Sequence, residues 1–265
     1  MTTSVSTEQP GYTRSYLADQ HAGQLARLQT LERAFDPLSH KVFERLDLPD
    51  APAILDLGAG AGSLAGWLSQ RYPDATVTAT DIDTRFLVDI PGIKVMTHNV
   101  TTDDFPAASF DVVHARALLC HLTDREEIVT RAATWLRPGG WLVIEDVSLQ
   151  PSLRTTNPLL RKVAQAGITL LEQSIGSDMF WADRLPDRLR DRGLVNVGHR
   201  TLEGRIGDNS PADAFWAATT AQAGPALLEL GLLTQAELDA MVMLRADPAF
   251  TDAALTLVSA WGQIL

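Results

Sequence analysis

The chain is predicted to fold as an α/β protein in which a parallel sheet carries helices on both faces. Two observations lead there. Short apolar runs alternate with helical patterns from Ala53 to Val147, and the first run feeds a glycine-rich turn, "DLGAGAG", residues 56 to 62. Such alternation builds a parallel sheet, because right-handed crossovers lay each connecting helix over it.

The elements follow in order. Leu17, Leu25, Leu28, Leu31 and Phe35 recur at helical spacing in "YLADQHAGQLARLQTLERAF", which predicts an N-terminal helical arm. A second helix is expected around "SHKVFERLDL", then the turn "PDAP" and a first strand from Ala53 to Leu57. Further strands are expected at "TVTATD", "IKVMTHN", "FDVVHAR" and "GWLVIEDV", with helices at "SLAGWLSQRY", "DTRFLV" and "REEIVTRAATWLR". Beyond Val147 come a helix from Pro158 to Gln173, the turn-rich "SIGSDMFWADRLPDRLRDRGL" and a strand in "LVNVGHRTLEGRI". Two more helices start at "NSPADAF" and at the capping box of Thr234 and Glu237. A final strand alternates through Leu255, Leu257, Ser259 and Trp261. The organisation expected is an arm (1–50), a ligand-binding core (51–147) and the rest of the sheet with helical cap insertions (148–265), all one continuous domain.

Composition narrows the function. A net charge of −11 repels phosphate backbones, and Lys41, Lys94 and Lys162 form no cluster, so no nucleic-acid partner is expected. No apolar run approaches the roughly 18 to 20 residues of a membrane span, so no membrane partner is expected either. Cys120 is the single cysteine, and the N-terminal "MTTSVSTEQPGYTRSY" has no basic start followed by an apolar core. Both features point to the cytoplasm. Either a monomer or a homodimer fits this composition.

Gly58, Gly60 and Gly62 fall between a strand and a helix, where the missing Cβ lets backbone N–H groups approach a ligand. Asp81 ends the next strand about 20 residues on, where a carboxylate can accept both hydroxyls of a ribose. Together they predict a nucleoside. The dinucleotide fingerprint is G-x-G-x-x-G, whereas here the glycines alternate and Asp56 stands two residues ahead of them. A carboxylate in that place repels a pyrophosphate and suits a cation.

On these residues the sequence resembles the class I methyltransferases that use S-adenosyl-L-methionine (SAM), whose first motif is D/E-x-G-x-G-x-G. The resemblance spans about Ile54 to Val147, and the flanks look like a small-molecule, actinobacterial-type branch. It implies a Rossmann-like, doubly wound, seven-stranded sheet, mostly parallel with the last strand antiparallel. It also implies SAM as cofactor, a small-molecule acceptor and a place in secondary metabolism. Asp56, Gly58, Ala59 and Gly60 match the motif that wraps the amino-acid part of SAM, and Asp81 with Ile82 matches the ribose acid and its neighbour over the adenine. Asn99 and Val100 in "THNVTTDDFPAASFD" stand where an acid and the following backbone N–H usually meet the adenine; the amide oxygen of Asn99 is then the acceptor expected. Tyr16 and Arg27 resemble positions closing over the methionine end, and Arg116 joins the cofactor set at the end of the fourth strand. Asp83 is either a second ribose contact or the cap of the helix after it.

Methyl transfer from a sulfonium is an in-line displacement, so holding an acceptor lone pair against the methyl carbon in a dry cleft supplies most of the catalysis. A hydroxyl acceptor gains from a base at the carboxyl ends of the strands. His121 is the base expected, with an imidazole near its ordinary pKa, and Glu145 is the alternative. Alternation sends Glu145 and Asp146 to opposite faces, and His114 is expected to be structural. No metal is expected, since no oxygen cluster assembles. Phe180, Trp181, Phe215 and Trp216 form either core or a substrate roof. Oxygen is the expected acceptor atom, with nitrogen or carbon as alternatives. The competing readings are a SAM-binding methyltransferase fold without methyl transfer, cyclase- or decarboxylase-like, and a NAD-dependent dehydrogenase.

Overall fold

The computed structural model describes residues 23–87 and 90–265, so Tyr16 and the start of the expected arm lie outside the described residues. Seven strands form one sheet: β1 (Ala53–Leu57), β2 (Thr76–Asp81), β3 (Ile93–Thr97), β4 (Phe110–Arg116), β5 (Leu136–Ser148), β6 (Val195–Ile206) and β7 (Asp252–Gln263). Their order is β3-β2-β1-β4-β5-β7-β6. Strands β1 to β5 pair in parallel, whereas β7 runs antiparallel to both β5 and β6. The mostly parallel sheet with an antiparallel last strand is therefore as the sequence predicts.

Alternation along the strands divides the core. Ile54, Val112 and Val143 face α1 (Gly23–Phe43) and α2 (Ser63–Arg71), while Leu55, Val113 and Ile144 face α3 (Arg125–Trp135) and α6 (Leu185–Asp191). A third apolar cluster gathers α5 (Pro158–Ile175), α7 (Pro211–Glu229) and the middle of α1 around Leu255 and Leu257 of β7. The remaining helices are α4 (Gln150–Arg154) and α8 (Gln235–Ala246), the latter opened by the predicted capping box of Thr234 and Glu237. No described helix is long and apolar enough to cross a membrane.

Four expectations need correction. The arm and the helix expected at "SHKVFERLDL" are one helix, α1, which passes through Pro37 and ends at Phe43. Proline there deletes one N–H, yet the helix persists because Phe35, Leu38, Val42 and Phe43 are buried on either side of it. "DTRFLV" makes only a 3-10 turn, Thr84–Phe86, with Asp83 Oδ1 accepting from Arg85 N at 3.2 Å. Helix α3 stops at Trp135 and β5 begins at Leu136, since Arg137 precedes Pro138 and is biased towards extended backbone. The turn-rich stretch holds α6, and its Leu185 and Leu189 are buried beside Trp181.

A belt of polar side chains crosses the sheet from β1 to β5. Asp56 and His114 are paired across β1 and β4, and Arg116 is paired with Glu145 across β4 and β5. His114 Nδ1 bonds Asp56 Oδ1 at 2.7 Å and Nε2 meets Glu145 Oε2 at 3.2 Å, with all three side chains buried. Burial alone would lower the His114 pKa, but the hydrogen bonds and charges of Asp56 and Glu145 raise it to about 9, so the ring is an imidazolium at neutral pH. The belt continues into α1. Ser39 Oγ donates to Glu145 Oε2 and accepts from Arg116 Nη1 at 2.9 Å, while Arg116 Nη2 pairs with Asp36 at 2.8 Å. Asp36 then accepts from Ser63 Oγ at 3.0 Å, and Glu32 accepts from Ser63 N at 3.1 Å, so two acids of α1 cap the N-terminus of α2.

The linkage has a definite sign. The folded pKa of His114 lies above its unfolded value near 6.5, so its contribution to stability is complete below that pH and is lost as pH rises through about 9. Thermal unfolding followed by circular dichroism should show the wild-type Tm falling by several degrees between pH 7 and 9.5. His114→Gln should start lower and lose less over the same interval; an equal loss in both chains would contradict a charged His114.

Candidate functional site

A cavity of about 710 Å³ opens at the carboxyl ends of β1, β2 and β4 and continues between α5 and α7. Its size falls within the roughly 300 to 1,000 Å³ of small-molecule sites. One end is built by the glycine loop. Gly60 has φ +59° and Gly62 has φ +84°, left-handed backbone that L side chains rarely adopt. A Cβ at Gly62 would also lie 2.3 Å from Ile90 Cδ1 and 2.9 Å from Leu87 Cδ2. The loop is thereby forced into a tight turn whose backbone, Gly58 to Ala61, lines the cavity.

Asp81 braces this turn. Its Oδ2 accepts from Gly60 N at 3.0 Å and its Oδ1 accepts from Asp83 N at 3.0 Å. A carboxylate has about four acceptor positions, so Asp81 can brace the loop and still accept from a ligand's hydroxyl. Burial raises the Asp81 pKa, an effect that the hydrogen bonds from Asp83 and Gly60 oppose. Ile82 lies next to it with 39% of its surface exposed, an apolar platform on the same wall.

The third strand ends at the same wall. Asn99 and Val100 line the cavity, but Asn99 Oδ1 already accepts from Thr101 N at 3.1 Å and from Thr101 Oγ1 at 2.8 Å. Both lone pairs of that oxygen are in use, so the Asn99 oxygen is not placed to accept from an adenine amino group as the sequence suggested. Beside it, His98 lines the cavity with Nε2 buried and without a hydrogen-bond partner among the described residues. Sequence reasoning missed His98; its place immediately before Asn99, at the end of a strand of the nucleoside half, was the available signal.

The other predicted residues separate into two groups. Arg27, buried on α1, lines the cavity together with Asp56, Arg116 and His121. Glu145 does not line it: the side chain is fully buried in the belt beneath, and His114, Arg116 and Ser39 hold its pKa low against the effect of burial. It is therefore removed as a candidate base. Asp146, on the opposite face of β5, accepts from Cys120 N at 3.1 Å, and burial raises its pKa to about 7. Phe215 and Trp216 line the cavity, whereas Trp181 is core, with its Nε1 donating to Glu126 at 3.0 Å.

His121 lines the cavity, with Nδ1 and the Oγ of Ser177, just beyond α5, 3.0 Å apart. Burial, reinforced by the positive charges of Arg27 and Arg125, lowers its pKa to about 3. The expectation of an ordinary imidazole is overturned: the ring is neutral across the physiological range and holds an added proton weakly. Among the described residues no group of three or more His, Cys, Asp or Glu is placed to hold a metal ion.

This donor set fits SAM. A bare turn, a braced acid with spare lone pairs and an apolar neighbour suit a nucleoside, while Asp56 and Arg27 offer opposite charges to an amino-acid end. The comparisons agree. A family model described as a methyltransferase domain matches residues 55–144. "Methyltransferase str2" of Strobilurus tenacellus is 36% identical over 184 residues, 67% of this chain and 66% of that protein. The 27-O-demethylrifamycin SV methyltransferase of Amycolatopsis mediterranei is 33% identical over 133 residues, 46% of this chain and 48% of that one. The chain thus spans between about half and just under two thirds of the length of these relatives. The solved structure of the YcgJ protein from Bacillus subtilis superposes with a TM-score of 0.57 at 14% identity, covering 85% of this chain and 97% of that one, which shows the same Rossmann-like fold. The glycine turn, its acid and the family match all fall on the same half of the sheet, and the chain belongs to the class I SAM-dependent methyltransferases.

Proposed function

We propose that the chain transfers a methyl group to a small-molecule acceptor, at oxygen, in secondary metabolism. One observation carries the reading: a single cavity joins the glycine loop and Asp81 to a second, apolar end, so two ligands can meet inside it. When bound, SAM supplies an electrophilic methyl group. Asp81 and the Gly58–Ala61 backbone would hold its nucleoside, and Asp56 and Arg27 its amino-acid end. The Amycolatopsis relative is named for a 27-O-demethyl substrate, which supports oxygen here.

The protein's own contribution is positioning and exclusion of water. In the tautomer whose Nδ1 donates to Ser177, the lone pair of His121 is on Nε2. In the bound complex that nitrogen would exchange its present surroundings for the acceptor hydroxyl, accept its hydrogen bond and turn the oxygen lone pair towards the methyl carbon. A weak base suffices, because an ether oxygen that still carries its proton is a strong acid, and transfer to an imidazole is downhill once the new C–O bond forms.

Two measurements test this. Asp81→Ala removes two charge-assisted hydrogen bonds and should weaken S-adenosylhomocysteine binding by about 2 to 4 kcal/mol, roughly 30- to 1000-fold in Kd. Calorimetry reads this directly, and unchanged affinity in a folded variant would reject Asp81 as the ribose acid. His121→Ala should lower kcat by about 10- to 100-fold, the scale of one hydrogen bond realised in the transition state, with cofactor affinity intact. Because His121 does not titrate near neutrality, the wild-type kcat should show no limb between pH 5.5 and 7.5 that the variant lacks. An acidic limb near pH 6.5, abolished by the substitution, would restore the conventional base.

A further inference from the structure

The wall of the cavity changes in character along the chain. Every acidic or basic residue on its wall, His included, lies between Arg27 and Asp124; from Val147 onward the described wall residues carry no charge. That second end is formed by one face of each of two helices. Val163, Gly167, Leu171 and Ile175 repeat every four residues along α5. On α7, Phe215, Thr219, Ala223 and Leu227 repeat in the same way. Its polar groups are few: the Thr220 hydroxyl donates to Trp216 O at 2.9 Å, and the buried Thr219 hydroxyl has no hydrogen-bond partner among the described residues.

Gly167 stands out on that face. A glycine in a helix interior costs about 1 kcal/mol relative to alanine, and Gly167 lies well inside α5, away from the C-cap at Gly176. A Cβ built at Gly167 would meet no described residue within 4 Å, so none of them keeps the position bare. It lines the cavity, so each added carbon there would subtract from the space that Phe215 and Trp216 also line.

Taking the methyltransferase reading as given, we propose that the space between α5 and α7 is the acceptor chamber, that it admits an uncharged apolar molecule, and that Gly167 sets the bulk it accepts. An anion would lose its hydration there against described residues of α5 and α7 that carry no charge, a penalty that an alcohol or phenol escapes. Flat or branched hydrocarbon instead gains the burial of its surface against Phe215, Trp216 and the aliphatic side chains of α5.

The test uses the full chain saturated with S-adenosylhomocysteine, so that the nucleoside end is filled. N-phenyl-1-naphthylamine, an uncharged dye that brightens in apolar sites, serves as the probe. Decan-1-ol and decanoate, which differ in head-group charge, are the competitors at pH 7.5. Decanol should displace the dye at concentrations at least tenfold below those of decanoate. Gly167→Phe should weaken dye binding at least tenfold while S-adenosylhomocysteine affinity stays within twofold. Decanoate competing equally well would overturn the charge claim, whatever any variant does. A Gly167→Phe chain that binds both the cofactor product and the dye like wild type would overturn the assignment of the chamber. Failure of the wild type to bind S-adenosylhomocysteine at all would count against the methyltransferase reading instead.

Discussion

The arrangement depends on an imidazolium buried between two carboxylates. His114 lies between Asp56 and Glu145 in the middle of a sheet whose other strand residues are mostly aliphatic. Charges so deeply placed are tolerated only when each is paired and hydrogen-bonded, and removal of one partner typically costs about 3 to 5 kcal/mol. The consequence is positional. Ser39 and Arg116 extend the pairing into α1, and Asp36 and Glu32 carry it to the start of α2, so one network fixes the arm, the glycine turn and the strand ends together. Asp56, which the sequence motif assigns to the ligand, is thus also a structural anion whose orientation is set from behind.

This anchoring explains how one cavity can have two chemistries. At the nucleoside end, backbone N–H groups and carboxylates are already committed to one another, so a ligand meets groups whose geometry is settled before it arrives. At the far end the walls are helix faces that present aliphatic and aromatic side chains. His121 lines the same cavity, and the burial and positive charges that would make it a poor base at equilibrium keep its ring neutral.

Much of this was legible in the residues, and the part that was not has physical causes. The glycine spacing, Asp81 and the strand–helix alternation are local signals, and they located the sheet and the nucleoside half. Continuity of α1 through Pro37 was not local: burial of Phe35 and Val42 by distant partners overrides the helix-breaking tendency of proline. The role of Glu145 was hidden for a similar reason. Its position on β5 suggested a cavity, yet only the register with β4 and the approach of Ser39 from α1 show that it points into a belt beneath the site. His98 escaped notice because nothing in a sequence marks an imidazole nitrogen left without a partner. Gly167 was equally silent, since a helical glycine acquires meaning only when the opposite helix and the space between them are known.

The most direct test of the central claim is a crystal structure of the chain with S-adenosylhomocysteine bound. The account predicts the ribose hydroxyls on Asp81, the adenine over Ile82 beside Val100, and the sulfur turned towards His121 and the space between α5 and α7. A ligand seated in that apolar space, or a ribose that makes no contact with Asp81, would contradict it.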